Sequence, residues 1–211
     1  SEMCIRDRNN EDTGTLQYLA STAMEAGFST RVLDMQALDL QNGRFFDPAG
    51  ELVNRCFKLY PWEWMVDESP DGCLAEMEWL EPIWKLVMSN KAILATLYEL
   101  FPDSPYVLPC YLSRPRSGLF CKKPIFSREG HNVSVVDIRD WEEYVRIAET
   151  EGDYNTGAYV YQEYVEPTAY SGRYPVIGSW IIGGEAAGIG IRENRMEVTD
   201  NLSEFVPHII G

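Results

Sequence analysis

One stretch of this chain gathers residue types that bind polyphosphate: Lys122-Lys123-Pro124-Ile125-Phe126-Ser127-Arg128-Glu129-Gly130-His131-Asn132-Val133. A lysine near the end of a strand supplies a compact positive charge. A polar tip follows, in which Gly130 permits positive φ and close approach of the backbone. Successive N–H groups from Ser127 to Asn132 can form an anion-binding nest. Ser127 can donate through its hydroxyl, and Arg128 can form two parallel hydrogen bonds to a phosphate. His131 lies in the tip, within reach of the same group. The spacing is not that of the Walker loop, since G-x-x-x-x-G-K-[ST] is absent. It also describes a plain β-turn with a charged tip.

Four further segments could share that chemistry. Ser89-Asn90-Lys91 opens a helical pattern, and a lysine there can reach a phosphate facing the helix N-terminus; otherwise it is a solvated surface residue. Tyr159 to Pro167 carries Gln162, Glu163, Tyr164 and Val165, an amide, a carboxylate and polar backbone suited to an adenine edge and ribose hydroxyls; the alternative is a strand with a polar outer face. Gly188-Ile189-Gly190-Ile191-Arg192-Glu193 leads small residues to an arginine that could stabilise charge on a transferring phosphoryl group, or pair with Glu193 or Glu185. Glu11 and Asp12 could hold an amine, or complement a helix N-terminus. His131 and His208 share no metal-ligand spacing, and no metal ligands are assigned.

The elements that must position these residues are of mixed type. The i, i+3, i+4 pattern of Leu16, Leu19, Ala20, Ala23 and Met24 predicts a helix over Thr13–Ala26, with Gly27 as its left-handed cap. A strand over Phe28–Asp34 and a turn at Asp47–Gly50 follow. Residues Leu74–Met88 read as a helix broken at Pro82, and Lys91–Leu100 as a second, capped by Ser89 or Asn90. The proline-rich stretch Phe101–Arg116 reads as a connector. Strands are predicted over Leu119–Phe126, Asn132–Asp137, Tyr159–Val165, Val176–Ile182 and Ala187–Arg192, with Gly183-Gly184 as a hairpin turn. Trp141–Glu149 reads as a helix. Antiparallel strands with interposed helices make an α+β class. The aromatic run Tyr60-Pro61-Trp62-Glu63-Trp64 reads as core.

The 211 residues are 45% hydrophobic and carry a formal net charge of −15. That charge argues against nucleic acid, which needs a basic face, and is compatible with a cationic substrate. The five cysteines are widely spaced, with no C-x-x-C pair, which points to a reduced, cytoplasmic compartment. No apolar run is long enough for a membrane helix. The opening Ser1–Arg8 is similar to a translated sequencing-library adapter and is set apart from the fold, with a polar strand as the alternative. The expected organisation is therefore 1–8 non-native, 9–100 a preceding α+β part, and 101–211 a nucleotide-binding part.

Taken in order, Glu11-Asp12-x-Gly14-Thr15, Phe57-Lys58-Leu59-Tyr60-Pro61-Trp62-Glu63, Glu81-Pro82-x-Trp84-Lys85, Ser89-Asn90-Lys91-Ala92, Lys123-Pro124-x-Phe126-Ser127-Arg128-Glu129-Gly130, Ile177-Gly178-Ser179-Trp180 and Gly188–Glu193 resemble the glutathionylspermidine synthase family. The resemblance implies an ATP-grasp fold with nucleotide between two α+β subdomains. It implies a ligase that joins a carboxylate to an amine through an acyl phosphate, using ATP and Mg²⁺. The acid would be peptide-like, of glutathione type, and the amine a polyamine. By resemblance, Lys91 and Lys123 contact ATP, Ser127, Arg128, Glu129, Gly130, His131 and Asn132 cover its phosphates, and Gln162, Glu163, Tyr164 and Val165 hold adenine. Arg192 is the catalytic arginine near the phosphates, and Glu11 and Asp12 lie near the amine. Asn10 stands where a relative has another carboxylate. The family's metal ligands fall upstream, so a truncated chain is expected to be inactive alone. A non-catalytic nucleotide-binding module derived from such a ligase is the rival reading.

Overall fold

The computed structural model describes residues 2–5, 11–140, 143–154, 157–200 and 202–209. It divides into two units, Ser1–Met88 and Ser89–Gly211, so the division falls ahead of the proline-rich connector.

In chain order, the first unit contains β1 (Glu2–Ile5), α1 (Glu11–Glu25), β2 (Arg31–Asp34), β3 (Asp39–Gln41), β4 (Arg44–Phe46), β5 (Leu52–Val53), β6 (Arg55–Lys58), α2 (Trp62–Glu68), α3 (Pro70–Cys73) and β7 (Glu78–Leu80). Helix α4 (Leu86–Ser89) ends at the division. Helix α1 closes as its glycine predicts. Gly27 has φ 88°, its N–H bonds to Met24 O at 2.9 Å, and Phe28 N bonds to Ala23 O at 3.0 Å. Those two bonds make a Schellman cap. Leu16 and Ala20 on its buried face pack with Leu19, Ala23, Phe57 and Leu59.

The main sheet here has the order β2-β1-β6-β7, and all its pairings are parallel. This corrects the expectation of antiparallel sheets alone: helical crossovers carry the chain back between its strands. Glu2–Ile5, set apart in the sequence reading, pairs with both β2 and β6. Ser1, Arg6, Asp7, Arg8 and Asn10 lie outside the described residues. Antiparallel β3, β4 and β5 form a separate small sheet, joined at its second corner by the Asp47–Gly50 turn.

A second correction concerns Leu74–Met88. After Pro82, Ile83–Lys85 and Leu86–Ser89 are helical, as expected, but before it the helix is absent and Glu78–Leu80 pairs beside β6 as an edge strand. The cause is Trp79, which is 8% exposed and packs edge-on against Phe45 at 5.6 Å and Trp62 at 5.5 Å. Such distant contacts override a local helical pattern. The aromatic run is core in part: Tyr60 and Trp62 are buried with Val53, Cys56 and Met65, whereas Trp64 is exposed.

Lys58 is buried in this core. Its Nζ donates to Tyr60 O at 2.7 Å and sits 3.7 Å from the centre of the Trp62 ring. Burial pulls its ammonium down from 10.5 to about 8, against the attraction of Cys56, Cys73, Glu63 and Glu81. Between those values the unfolded chain binds the proton and the folded chain does not, so stability rises with pH across that window. Below pH 8 both states are protonated and the burial cost is fully present. Relative to a Lys58→Met variant, the wild type should therefore gain ~1–2 kcal/mol between about pH 8 and 10. Denaturant unfolding of both proteins across that range checks this. A constant difference would show that Lys58 is not desolvated.

The second unit contains α5 (Ile93–Leu100), β8 (Cys110–Tyr111), β9 (Gly118–Pro124), β10 (Ser134–Ile138), β11 (Tyr144–Glu149), β12 (Tyr159–Glu163), β13 (Tyr174–Ile182), β14 (Glu185–Asn194) and β15 (Glu204–Val206). Its main sheet, β11-β10-β9-β12-β8, is antiparallel throughout. A third correction falls here: Tyr144–Glu149, read as part of a helix, is the edge strand beside β10. Its Tyr144, Val145 and Ile147 suit a pleated surface better than a helix. Trp141 and Glu142, also in that reading, lie outside the described residues.

Strand alternation sorts β9 into two faces. Phe120 packs with Val136, Ile138 and Tyr161 on one face. Cys121 and Lys123 lie on the other, with Val135, Val160 and Gln162 by register. The third element is the β13–β14 hairpin, closed by Gly183 (φ 60°) and Gly184 (φ 88°). Both positive angles suit a type I′ turn. Gly178 faces Gly190 across it, its residues beyond that pair are exposed, and its base is half-buried. No helix among the described residues is long and apolar enough to cross a membrane.

Candidate phosphate-binding site

Strand β9 ends at Pro124 and delivers the chain to the tip. Ile125 is held from both sides: its N–H bonds to Ala158 O at 3.1 Å, and its carbonyl accepts from Lys91 N at 2.8 Å. The Lys91 side chain reaches further along the same segment. Its Nζ bonds to the Ser127 carbonyl and, at 2.9 Å, to Ser127 Oγ. Lys91 precedes α5, which starts at Ile93 with Ala92 at its N-cap and no side-chain cap there. Asn90 Oδ1 instead accepts from Ala92 N at 2.9 Å in the turn just before the helix, so the cap expected from Ser89 or Asn90 is displaced out of the helix.

The tip itself is a tight turn. His131 N donates to Arg128 O at 2.9 Å across Glu129 (φ 54°) and Gly130 (φ 72°). Two positive φ values in succession define a type I′ turn, and glycine supplies the second without a Cβ penalty. Asn132 is also left-handed, at φ 54°, a conformation that asparagine tolerates. The Glu129 and Gly130 N–H groups take no hydrogen-bond acceptor among the described residues. The buried His131 Nδ1 likewise has no partner among them. A free pair of backbone donors in a turn is an arrangement that an anionic oxygen can satisfy.

Lys123 stands on the polar face of β9 and donates to Gln162 Oε1 at 2.7 Å. The lysine and the amide singled out separately in the sequence are therefore one pair. Cys110 and Cys121 share this face through the register with Gln162. Burial raises both thiols above the ordinary value, with Lys123 opposing that rise. Glu163, the last residue of β12, bonds through its N–H to Pro109 O at 2.8 Å, and Tyr164 N bonds to Leu119 O at 3.0 Å, while Val165 is exposed. The Tyr164 hydroxyl donates to Glu197 Oε2 at 2.6 Å. That bond, with burial, holds its proton well above the usual phenol range.

Arg192 is positioned differently. It is half-buried on β14, opposite Val176 and Phe205, with its guanidinium carbon 5.9 Å from the Phe205 ring centre. No hydrogen bond or ion pair joins it to Lys91, Lys123 or the tip among the described residues. Neither Glu193 nor Glu185 pairs with it there. The link from β14 to the tip runs instead through the turn that follows. Asn194 Nδ2 holds Val198 O and Asp200 Oδ1, each at 3.2 Å, and a Cβ built on Gly130 would collide with the Thr199 carbonyl.

Glu11 and Asp12 are the first two residues of α1 in the first unit. His208 is exposed. Among the described residues, no group of three or more His, Cys, Asp or Glu side chains is arranged to hold a metal ion. The sequence reading passed over Thr150, Tyr154, Glu197 and Thr199, all of which touch the tip or its surroundings. None carries a local motif; each meets the site only after the strands pair.

The glutathionylspermidine synthase preATP-grasp family matches residues 3–211 of the chain. A putative acid–amine ligase of Haemophilus influenzae is 35% identical over 97% of this chain and 54% of its own length. Trypanothione synthetase of Crithidia fasciculata is 36% identical over 94% of this chain and 34% of its length. The bifunctional glutathionylspermidine synthetase/amidase of Escherichia coli is 26% identical, over 98% and 38% respectively. The chain thus spans about half the length of the first of these relatives and less of the others.

Proposed function

We infer, from the premise that this chain belongs to the glutathionylspermidine synthase family, that it is the nucleotide-handling part of an ATP-dependent acid–amine ligase. The observation that carries this reading is the convergence of two lysines on one strand end. Lys123 lies on β9, and Lys91 bonds to Ser127 just beyond it. Lys91 is thereby tied to the segment that enters a turn whose Glu129 and Gly130 N–H groups are unpaired among the described residues, and Lys123 stands on the strand that leads to it.

When bound, ATP supplies the phosphoryl group that activates a carboxylate toward an amine. Lys91, Lys123 and the Ser127–Asn132 tip would hold its phosphates. Gln162 to Val165 would lie along its adenine, and Glu11 and Asp12 would hold the amine. Arg192 would act on the transferring group. The side chains described offer no metal cluster, and no step is assigned to Mg²⁺. The relatives' names support a peptide-like acid of glutathione type and a polyamine as substrates of the whole protein. The free, largely buried cysteines support a reduced, cytoplasmic compartment.

The test is a thermal shift with Mg-ATP. Binding to the folded chain at ~100 Kd stabilises it by about 2.7 kcal/mol, which should raise the midpoint by several degrees. The protein at the length of its relatives should in addition hydrolyse ATP only when acid and amine are both supplied. An unmoved midpoint at millimolar Mg-ATP would remove the nucleotide assignment.

A further inference from the structure

We propose that Thr150, at the end of β11, is a positioning residue whose hydroxyl latches the tip in its nucleotide-ready shape; this rests on the nucleotide reading above. The hydroxyl works on both sides of the turn. It donates to the Gly130 carbonyl and accepts from Val133 N at 2.9 Å. It also lies 3.2 Å from Val133 O, but a hydroxyl has a single proton and the Gly130 carbonyl is the nearer acceptor.

The consequence for the tip is geometric. The peptide joining Gly130 to His131 is planar. Its carbonyl is held by Thr150, and its N–H is held by Arg128 O. A plane pinned at both ends fixes the direction of the preceding amides, Glu129 N and Gly130 N, which are the open donors. The backbone around Thr150 extends the clamp. Thr150 N bonds to Val133 O at 2.9 Å, Asn132 N approaches Glu151 O at 3.4 Å, and Tyr154 N bonds to Asn132 Oδ1 at 2.7 Å. Gly152 lies so close beneath His131 that any Cβ there would strike the imidazole. The strand end thus serves as a mould for the turn, with the hydroxyl as a side-chain fastening to Gly130.

Valine is nearly the same shape as threonine and removes only the hydroxyl; serine restores it. The experiment compares wild type, Thr150→Val and Thr150→Ser by amide hydrogen exchange without ligand and by calorimetry with Mg-ATP. Thr150→Val should exchange the Val133 amide about tenfold faster and bind Mg-ATP about tenfold more weakly. Thr150→Ser should match wild type in both. The latch is refuted if Thr150→Val keeps wild-type exchange at Val133 or wild-type affinity, or if Thr150→Ser is as impaired as Thr150→Val. If the wild type itself ignores Mg-ATP, the nucleotide reading falls separately, and unaltered Val133 exchange in Thr150→Val then rejects the latch on its own.

Discussion

Replacing Lys123 with alanine will weaken Mg-ATP binding by roughly 10- to 100-fold, the loss of one charge-assisted hydrogen bond worth ~1.5–3 kcal/mol. Its neighbour Lys122 provides an internal control. The two lysines are adjacent in β9 and so face opposite sides of the sheet. Lys123 reaches Gln162 at 2.7 Å, whereas Lys122 Nζ sits 3.9 Å from the centre of the Tyr159 ring. Lys122→Ala has the same effect on net charge but should leave affinity within about twofold, because exposed or ring-bound charge acts weakly at a distance through water. Lys123→Arg should recover only part of the loss, since a forked guanidinium cannot take the place of a compact ammonium beside Gln162. Calorimetric titration of the three variants decides the matter. Equal losses at 122 and 123 would mean that the nucleotide senses only overall charge; no loss at 123 would end the case for this face of the sheet.

Trp62→Ala should cost about 3–5 kcal/mol of folding stability, the usual range for emptying a buried tryptophan site. Trp62 is 6% exposed, packs edge-on against Trp79 at 5.5 Å, and donates from Nε1 to Glu81 O at 3.2 Å. Its ring also covers the Lys58 ammonium at 3.7 Å. Truncation would leave that cation beside a void, with no aromatic face to offset its desolvation. Trp62→Phe retains the ring stack and loses the N–H bond, so its cost should be ~1–2 kcal/mol. Denaturant midpoints measure both. A cost below ~1 kcal/mol for the alanine variant would mean that this core is not what holds the first unit together.

The residues that declared themselves in the sequence were those whose structure is decided locally. Gly27 ends α1 because a left-handed cap depends on a few neighbouring bonds, and Gly183-Gly184 closes its hairpin for the same reason. The tip was legible because a glycine after polar residues favours a turn locally, although its exact shape is set by the strand end beside it. What could not be read depends on distant partners. Trp79 becomes a strand residue through Phe45 and Trp62, and Tyr144–Glu149 through β10. The parallel sheet is equally silent, since β1 finds its neighbours only after α1 and the β3–β5 sheet have intervened.

The site divides along the same line. Lys91, Lys123 and the tip were recognisable by residue type. That Lys123 holds Gln162, and that Gly130 meets Thr150 and the Val198–Thr199 turn, follows from register and cannot be seen in spacing. Arg192 is the converse case: a plausible phosphate partner by type, it rests beside Phe205, and its connection to the tip passes through backbone rather than through its own side chain.

The facing glycines of the β13–β14 hairpin give that ribbon two mechanical halves. Gly178 and Gly190 are Cα partners, so neither strand contributes a side chain at that rung, and a glycine rung in a narrow ribbon is its softest point. Beyond it the ribbon is exposed to its Gly183-Gly184 end; before it, the half-buried base carries Arg192 opposite Val176. On the base side of that rung β14 also pairs with β15 through Ile191, Arg192 and Glu193, so opening that starts at the free end should stop where the third strand begins, and the guanidinium keeps its bearing.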